Sequence, residues 1–130
     1  MRRSVVLPAV VVAVAVSAAA CSNGASDAAP SELPAEQVAE GLCQAAAAGD
    51  PETAEESFAG VHSDLHTVAR ALQEVDRKAA AALLVAKQKV EDDFRRRAPA
   101  SELTPDLERL FTATQDGLAR LEVTVAPCDG

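Results

Sequence analysis

The chain has 130 residues and a formal net charge of −8, a balance that argues against binding nucleic-acid phosphates and against electrostatic docking on anionic lipid. With no Trp, no Tyr and only Phe58, Phe94 and Phe111, any core must be aliphatic, and the length suffices for one small domain but not two.

Met1-Arg2-Arg3 is a short basic start, and Val5 to Ala20 is apolar apart from Pro8 and Ser17, the layout of an export signal. A membrane-spanning helix needs about 20 apolar residues, whereas this shorter run ends in small residues, which favours cleavage over permanent spanning. Those small residues are Ala18-Ala19-Ala20, and Cys21 follows, then the polar Ser22-Asn23-Gly24.

This segment resembles a bacterial lipoprotein signal, in which small residues precede a cysteine that becomes the lipidated N-terminus. Position 18 departs from the pattern, being Ala where such signals usually carry Leu or another larger aliphatic. The resemblance implies a signal peptide over residues 1–20, a lipid on Cys21, and attachment to the outer face of the cytoplasmic membrane. Each buried acyl methylene contributes about 0.8 kcal/mol, so several chains hold the protein at the bilayer. Loss of residues 1–20 takes two arginines and no acid, lowering the net charge from −8 to −10.

Residues 21–34, the lipidated cysteine and a run of Ser, Asn, Gly, Ala, Asp, Pro and Glu with one Leu, form a flexible linker reaching a few nanometres at most. The folded domain is expected over 35–130. A first helix is expected over Ala35 to Ala48, with Gly49 at the position just past its end. Asp50 and Pro51 supply a cap and a first-turn proline for a second helix.

In that helix Phe58, Val61, Leu65, Val68, Leu72 and Val75 recur at spacings of three and four and mark one buried face. The pattern resumes displaced at Leu83, Ala86, Val90 and Phe94, which places a break near Asp76 to Ala80; an unbroken helix from Pro51 to Arg97 would be about 70 Å long. Ala98-Pro99-Ala100-Ser101 is a connection. A last helix carries Leu103 or Leu107, Leu110, Phe111, Thr114, Leu118 and Leu121, with Thr104-Pro105 as its cap and first turn. Val123-Thr124-Val125 is extended at most. The expected fold is all-α, a small antiparallel bundle of three or four helices.

Of three cysteines, lipidation of Cys21 leaves Cys43 and Cys128, an even pair outside the reducing cytosol, and a disulfide between them is expected. The alternative is two structural or metal-binding thiols, although no further ligands are spaced for a zinc site.

His62 and His66 lie at i and i+4, so their imidazoles share a helix side and suit a transition metal, with Glu55 and Gln73 on the same strip. Ser63 occupies the place of the glutamate that the zinc-protease motif requires. Solvated or bundle-contact histidines are the plainer reading. Glycine elbows and phosphate loops are absent from the sequence, and the adjacent acids Asp92-Asp93 and Glu55-Glu56 point in different directions along a helix, so no enzyme activity and no required cofactor are expected. Lys87, Lys89, Arg95, Arg96 and Arg97 complement a helix C-terminus or offer a docking surface. The run Ala79 to Ala82 reads as helix propensity or as a place of close helix approach.

The middle segment, His62 and His66 followed by Asp76-Arg77 and Ala86-Lys87-Gln88, resembles uncharacterised small lipoproteins of high-GC bacteria. That resemblance implies only the cellular address. The expected function is a membrane-anchored, extracytoplasmic, non-enzymatic interaction or envelope module with a partner in the envelope and none among nucleic acids. The alternative is a transition-metal-binding protein using His62, His66 and Glu55.

Overall fold

A computed structural model describes residues 32–129; the expected signal peptide, Cys21 and most of the expected linker lie outside them. Five helices follow in order: α1 (Ala35–Ala47), α2 (Pro51–Ala59), α3 (His62–Val75), α4 (Arg77–Arg95) and α5 (Ala100–Arg120). The fold is the all-α bundle expected, with more helices than the three or four anticipated.

The α1–α2 hairpin forms as its residues dictate. Gly49 takes φ +77°, and the Asp50 carboxylate accepts from the Thr53 N–H at 2.9 Å, while Pro51 occupies the first position of α2. The additional helix comes from a break at Gly60-Val61. Val61, at φ −117°, tucks its side chain onto Gly41 of α1, where a Cβ would overlap Val61 Cγ1. The stripe Phe58, Val61, Leu65, Val68 and Leu72 is buried across that break, held by contacts with α1 and α5 that no single helix axis would satisfy.

Val75 departs from the expected stripe, being 63% exposed. The chain turns at Asp76, which ends α3 and caps α4 by accepting from the Ala79 N–H at 3.0 Å, so the buried face stops one turn earlier, at Leu72. This is the break expected near Asp76 to Ala80, achieved by one extended residue without Gly or Pro.

Helices α4 and α5 run antiparallel, since Lys89 pairs with Asp106 near their connection and Asp76 with Arg120 at the far end. Helix α5 also contacts α1 and α3 and so forms the centre of the bundle. It begins at Ala100, not after Thr104-Pro105, which places Pro105 inside the helix. Burying both Leu103 and Leu107 requires the earlier start, and the donor missing at Pro105 faces the carbonyl of exposed Ser101, within reach of water. Gly117 brings α5 against α3, for a Cβ there would sit 2.7 Å from Leu72 Cδ2.

Two helix ends use left-handed residues other than glycine. Arg97 (φ +57°) and Glu122 (φ +61°) each close a double-bonded terminus, with Ala98 N–H on the Asp93 carbonyl and Val123 N–H on the Leu118 carbonyl, both at 2.9 Å. After Glu122 the tail crosses α1, anchored by buried Val125 and by Gln115, whose amide donates to the Val125 carbonyl at 3.2 Å. It ends in the Cys43–Cys128 disulfide, with Cα atoms 5.4 Å apart. At the other end, packing begins at buried Leu33, two residues ahead of the expected boundary.

Candidate functional site

The α2–α3 break opens a notch against the C-terminal half of α4. Its wall is Glu55, Phe58 and Ala59 from α2, His62 from α3, and Glu91, Phe94 and Arg95 from α4, enclosing about 530 Å³. Four of the molecule's five Phe and His rings stand in a row, three of them on this wall and His66 beyond it. His66 and His62 are 5.0 Å apart between centroids, His62 and Phe58 5.8 Å, and Phe58 and Phe94 5.4 Å. The first two contacts are edge-on, the arrangement the ring quadrupoles prefer.

Behind the notch lies a buried lysine. Lys87, its side chain only 5% exposed, donates to Glu91 Oε1 at 2.5 Å and lies 3.0 Å from His62 Nε2. His62 Nε2 is itself 2.7 Å from the same Glu91 oxygen. That nitrogen either donates to Glu91 or accepts from Lys87 and cannot do both, so a single proton decides the arrangement. Burial pushes the Glu91 carboxyl up, but the hydrogen bonds from Lys87 and His62 outweigh it and hold the group below its ordinary range. His66 is pushed down by desolvation, reinforced by the Lys87 and His62 charges.

The expected metal constellation is thus only partly assembled. His62 and His66 are neighbours, and Glu55 lines the same notch as His62, while Gln73 is exposed and takes no part in the wall. A cation at His62 Nε2 would have to displace Glu91 and lie beside the Lys87 ammonium. Among the described residues, no three His, Cys, Asp or Glu side chains form a group able to hold a metal.

Lys87, Glu91, Phe58 and Phe94 were not singled out together from sequence. The available signal was Lys87 itself, which sits on the Leu83, Val90, Phe94 stripe where an apolar residue is expected, with Glu91 one turn on.

The basic stretch is largely neutralised. Arg95 pairs with Asp92 at 2.5 Å, Arg96 with Asp93 and Glu102 at 2.7 Å each, and Lys89 bridges Asp93 at 2.6 Å and Asp106 at 2.9 Å. Arg109 pairs with Asp106 from α5. Of these bonds, Lys89 to Asp106 and Arg96 to Glu102 tie α4 to α5, and Asp93, fully buried, is held below the ordinary carboxylate range because hydrogen bonds led by Lys89 outweigh its desolvation. A second groove, about 640 Å³, runs between α4 and α5 over Ala79, Ala82, Ala113 and Gly117, edged by charges of both signs.

Comparison with known proteins brings no match: no family model, no curated protein and no solved structure is similar to the chain.

Proposed function

We propose that the protein is an exported bacterial lipoprotein, tethered through Cys21 to the outer face of the cytoplasmic membrane, whose helical bundle is a non-enzymatic interaction module. The observation that carries this reading is the order of residues before the bundle: a basic start, an apolar run, then Ala18-Ala19-Ala20-Cys21. The Cys43–Cys128 pairing supports it, because such bonds persist in oxidising compartments outside the cytosol. Among the described residues no helix is long and apolar enough to cross a membrane, which is compatible with attachment by lipid.

The test is metabolic labelling with an alkyne fatty acid in a bacterial host, comparing the native protein with Cys21→Ala. Label and membrane association that both disappear in the variant uphold the reading. An unlabelled native protein, or label retained without Cys21, refutes it. The transition-metal reading of His62 and His66 is the weaker alternative, because the Lys87 ammonium lies against the nitrogen that would bind.

A further inference from the structure

We propose that the notch between α2, α3 and α4 binds an organic cation, an ammonium or guanidinium group carried on a short apolar stem. The inference deepens the reading of the bundle as a recognition module by naming what the module recognises. It needs neither the lipid nor export, so labelling and ligand binding fail independently.

The argument is one of charge left over after pairing. Four side chains of the wall ionise or titrate. Arg95 is engaged by Asp92 at 2.5 Å, and Glu91 by Lys87 at 2.5 Å and by His62 at 2.7 Å. Glu55 is exposed, and among the described residues it has no ion-pair partner, so the wall's uncompensated charge is one carboxylate at its rim.

Phe94 is half-buried on the same wall and packs on Phe58, giving an apolar surface beside that carboxylate. A protonated amine on a hydrocarbon stem satisfies both: its stem covers the Phe94 ring and its ammonium reaches Glu55, with the negative ring face adding a cation–π attraction. An anionic ligand would meet Glu55 and Glu91 and would have to take Arg95 from Asp92. About 530 Å³, open to solvent, accommodates a lysine-sized or phenethylamine-sized group. Two sources share this chemistry, a free amine and the side chain of a basic residue on a partner protein.

The experiment exploits the scarcity of aromatic residues, since three phenylalanines and two histidines give a sparse ring NMR spectrum. The full-length protein in non-ionic detergent is titrated with three isosteres, phenethylammonium, 2-phenylethanol and phenylacetate, and with N-acetyl-lysine methylamide. Saturable shifts are expected at Phe58, Phe94 and His62 but not at Phe111, which lies outside the notch.

The neutral and anionic isosteres are expected to bind about tenfold more weakly or worse, as is phenethylammonium to Glu55→Gln, since a charge-assisted contact is lost in each case. Glu52→Gln, an exposed change on the same helix outside the wall, leaves affinity unchanged. Binding of the lysine probe as well points to a protein side chain as the source, and binding of the amine alone to a free amine; either upholds the cation site. No saturable shift with either cation, equal binding of phenylacetate, or unaltered affinity in Glu55→Gln overturns it.

Discussion

Removing the disulfide, by Cys43→Ala with Cys128→Ala, is the perturbation whose size follows most directly from the fold. The bond joins residues 85 apart, so in the unfolded chain it closes a loop of nearly the whole described domain. Loop-closure entropy for that length is about 4.5 kcal/mol at 25 °C. Part of this is returned, because cutting the bond frees the native tail beyond Val125, where Ala126, Pro127 and Cys128 are exposed. Full freedom for these three residues, at roughly 1 kcal/mol each, offsets about 3 kcal/mol and partial freedom less, which leaves a net loss of about 1.5 to 4 kcal/mol. For a domain of this size that lowers the melting temperature by roughly 6 to 30 °C. Thermal and urea unfolding of the full-length protein, followed by circular dichroism at 222 nm, reads the difference, and reduction of the native protein should reproduce it. A melting shift under about 3 °C would refute the reasoning, because it would mean that the unfolded chain gains little freedom when the link is cut.

Gly117, inside α5, and Gly60, at the end of α2, should respond to alanine with opposite signs. Gly117→Ala drives a Cβ into Leu72 and should cost about 1 to 3 kcal/mol, whereas Gly60→Ala, with φ −65° and its nearest neighbour at an ordinary 3.4 Å, should gain up to about 1 kcal/mol in urea unfolding. Arg97→Gly relieves a left-handed residue and should stabilise by roughly 1 kcal/mol, less whatever the flexible unfolded glycine takes back. Acid should destabilise. Glu91 and Asp93 are both held below the ordinary carboxylate range, so their contribution is present above about pH 4 and is lost as pH falls through their folded values. His66, pushed down by desolvation, adds a small loss that begins below about pH 6.5; a flat stability profile from pH 7 to 3 would contradict both. Calorimetric titration with Zn(II) or Cu(II) should tighten in Lys87→Met, where the competing ammonium is gone, if His62 and His66 bind metal at all; heats equal in native protein and His62→Ala/His66→Ala remove the metal reading.

Local chemistry made much of the bundle legible. Gly49, Asp50 and Pro51 act within a few bonds of themselves, so the first turn could be placed from sequence, and the spacing of Phe58 to Leu72 identified the buried face. Asp76 was legible as a break, though not as the cap that makes it, for want of a flanking Gly or Pro. The Gly60-Val61 break depends on a distant partner, since Val61 leaves the helix axis to fit against Gly41, and spacing along one segment carries no record of that contact.

The same division applies to the site. His62, His66 and Glu55 could be grouped because they share a helical strip, and one break between them left that grouping partly intact. Their partners could not be found that way, since Lys87 and Glu91 lie 25 and 29 residues from His62 and meet it only when α4 folds back along α3. The sequence by itself determined what acts over one or two turns: the Gly49-Asp50-Pro51 turn, the helical class and the apolar stripe from Phe58 to Leu72. Pairs one turn apart, such as Lys87 with Glu91 and Arg95 with Asp92, follow from helical spacing, whereas tertiary structure alone decided the pairings between elements, His62 with Glu91, Lys89 with Asp106 and Arg96 with Glu102, and the burial of Lys87 and Asp93, because distance and burial across helices are not encoded in local spacing.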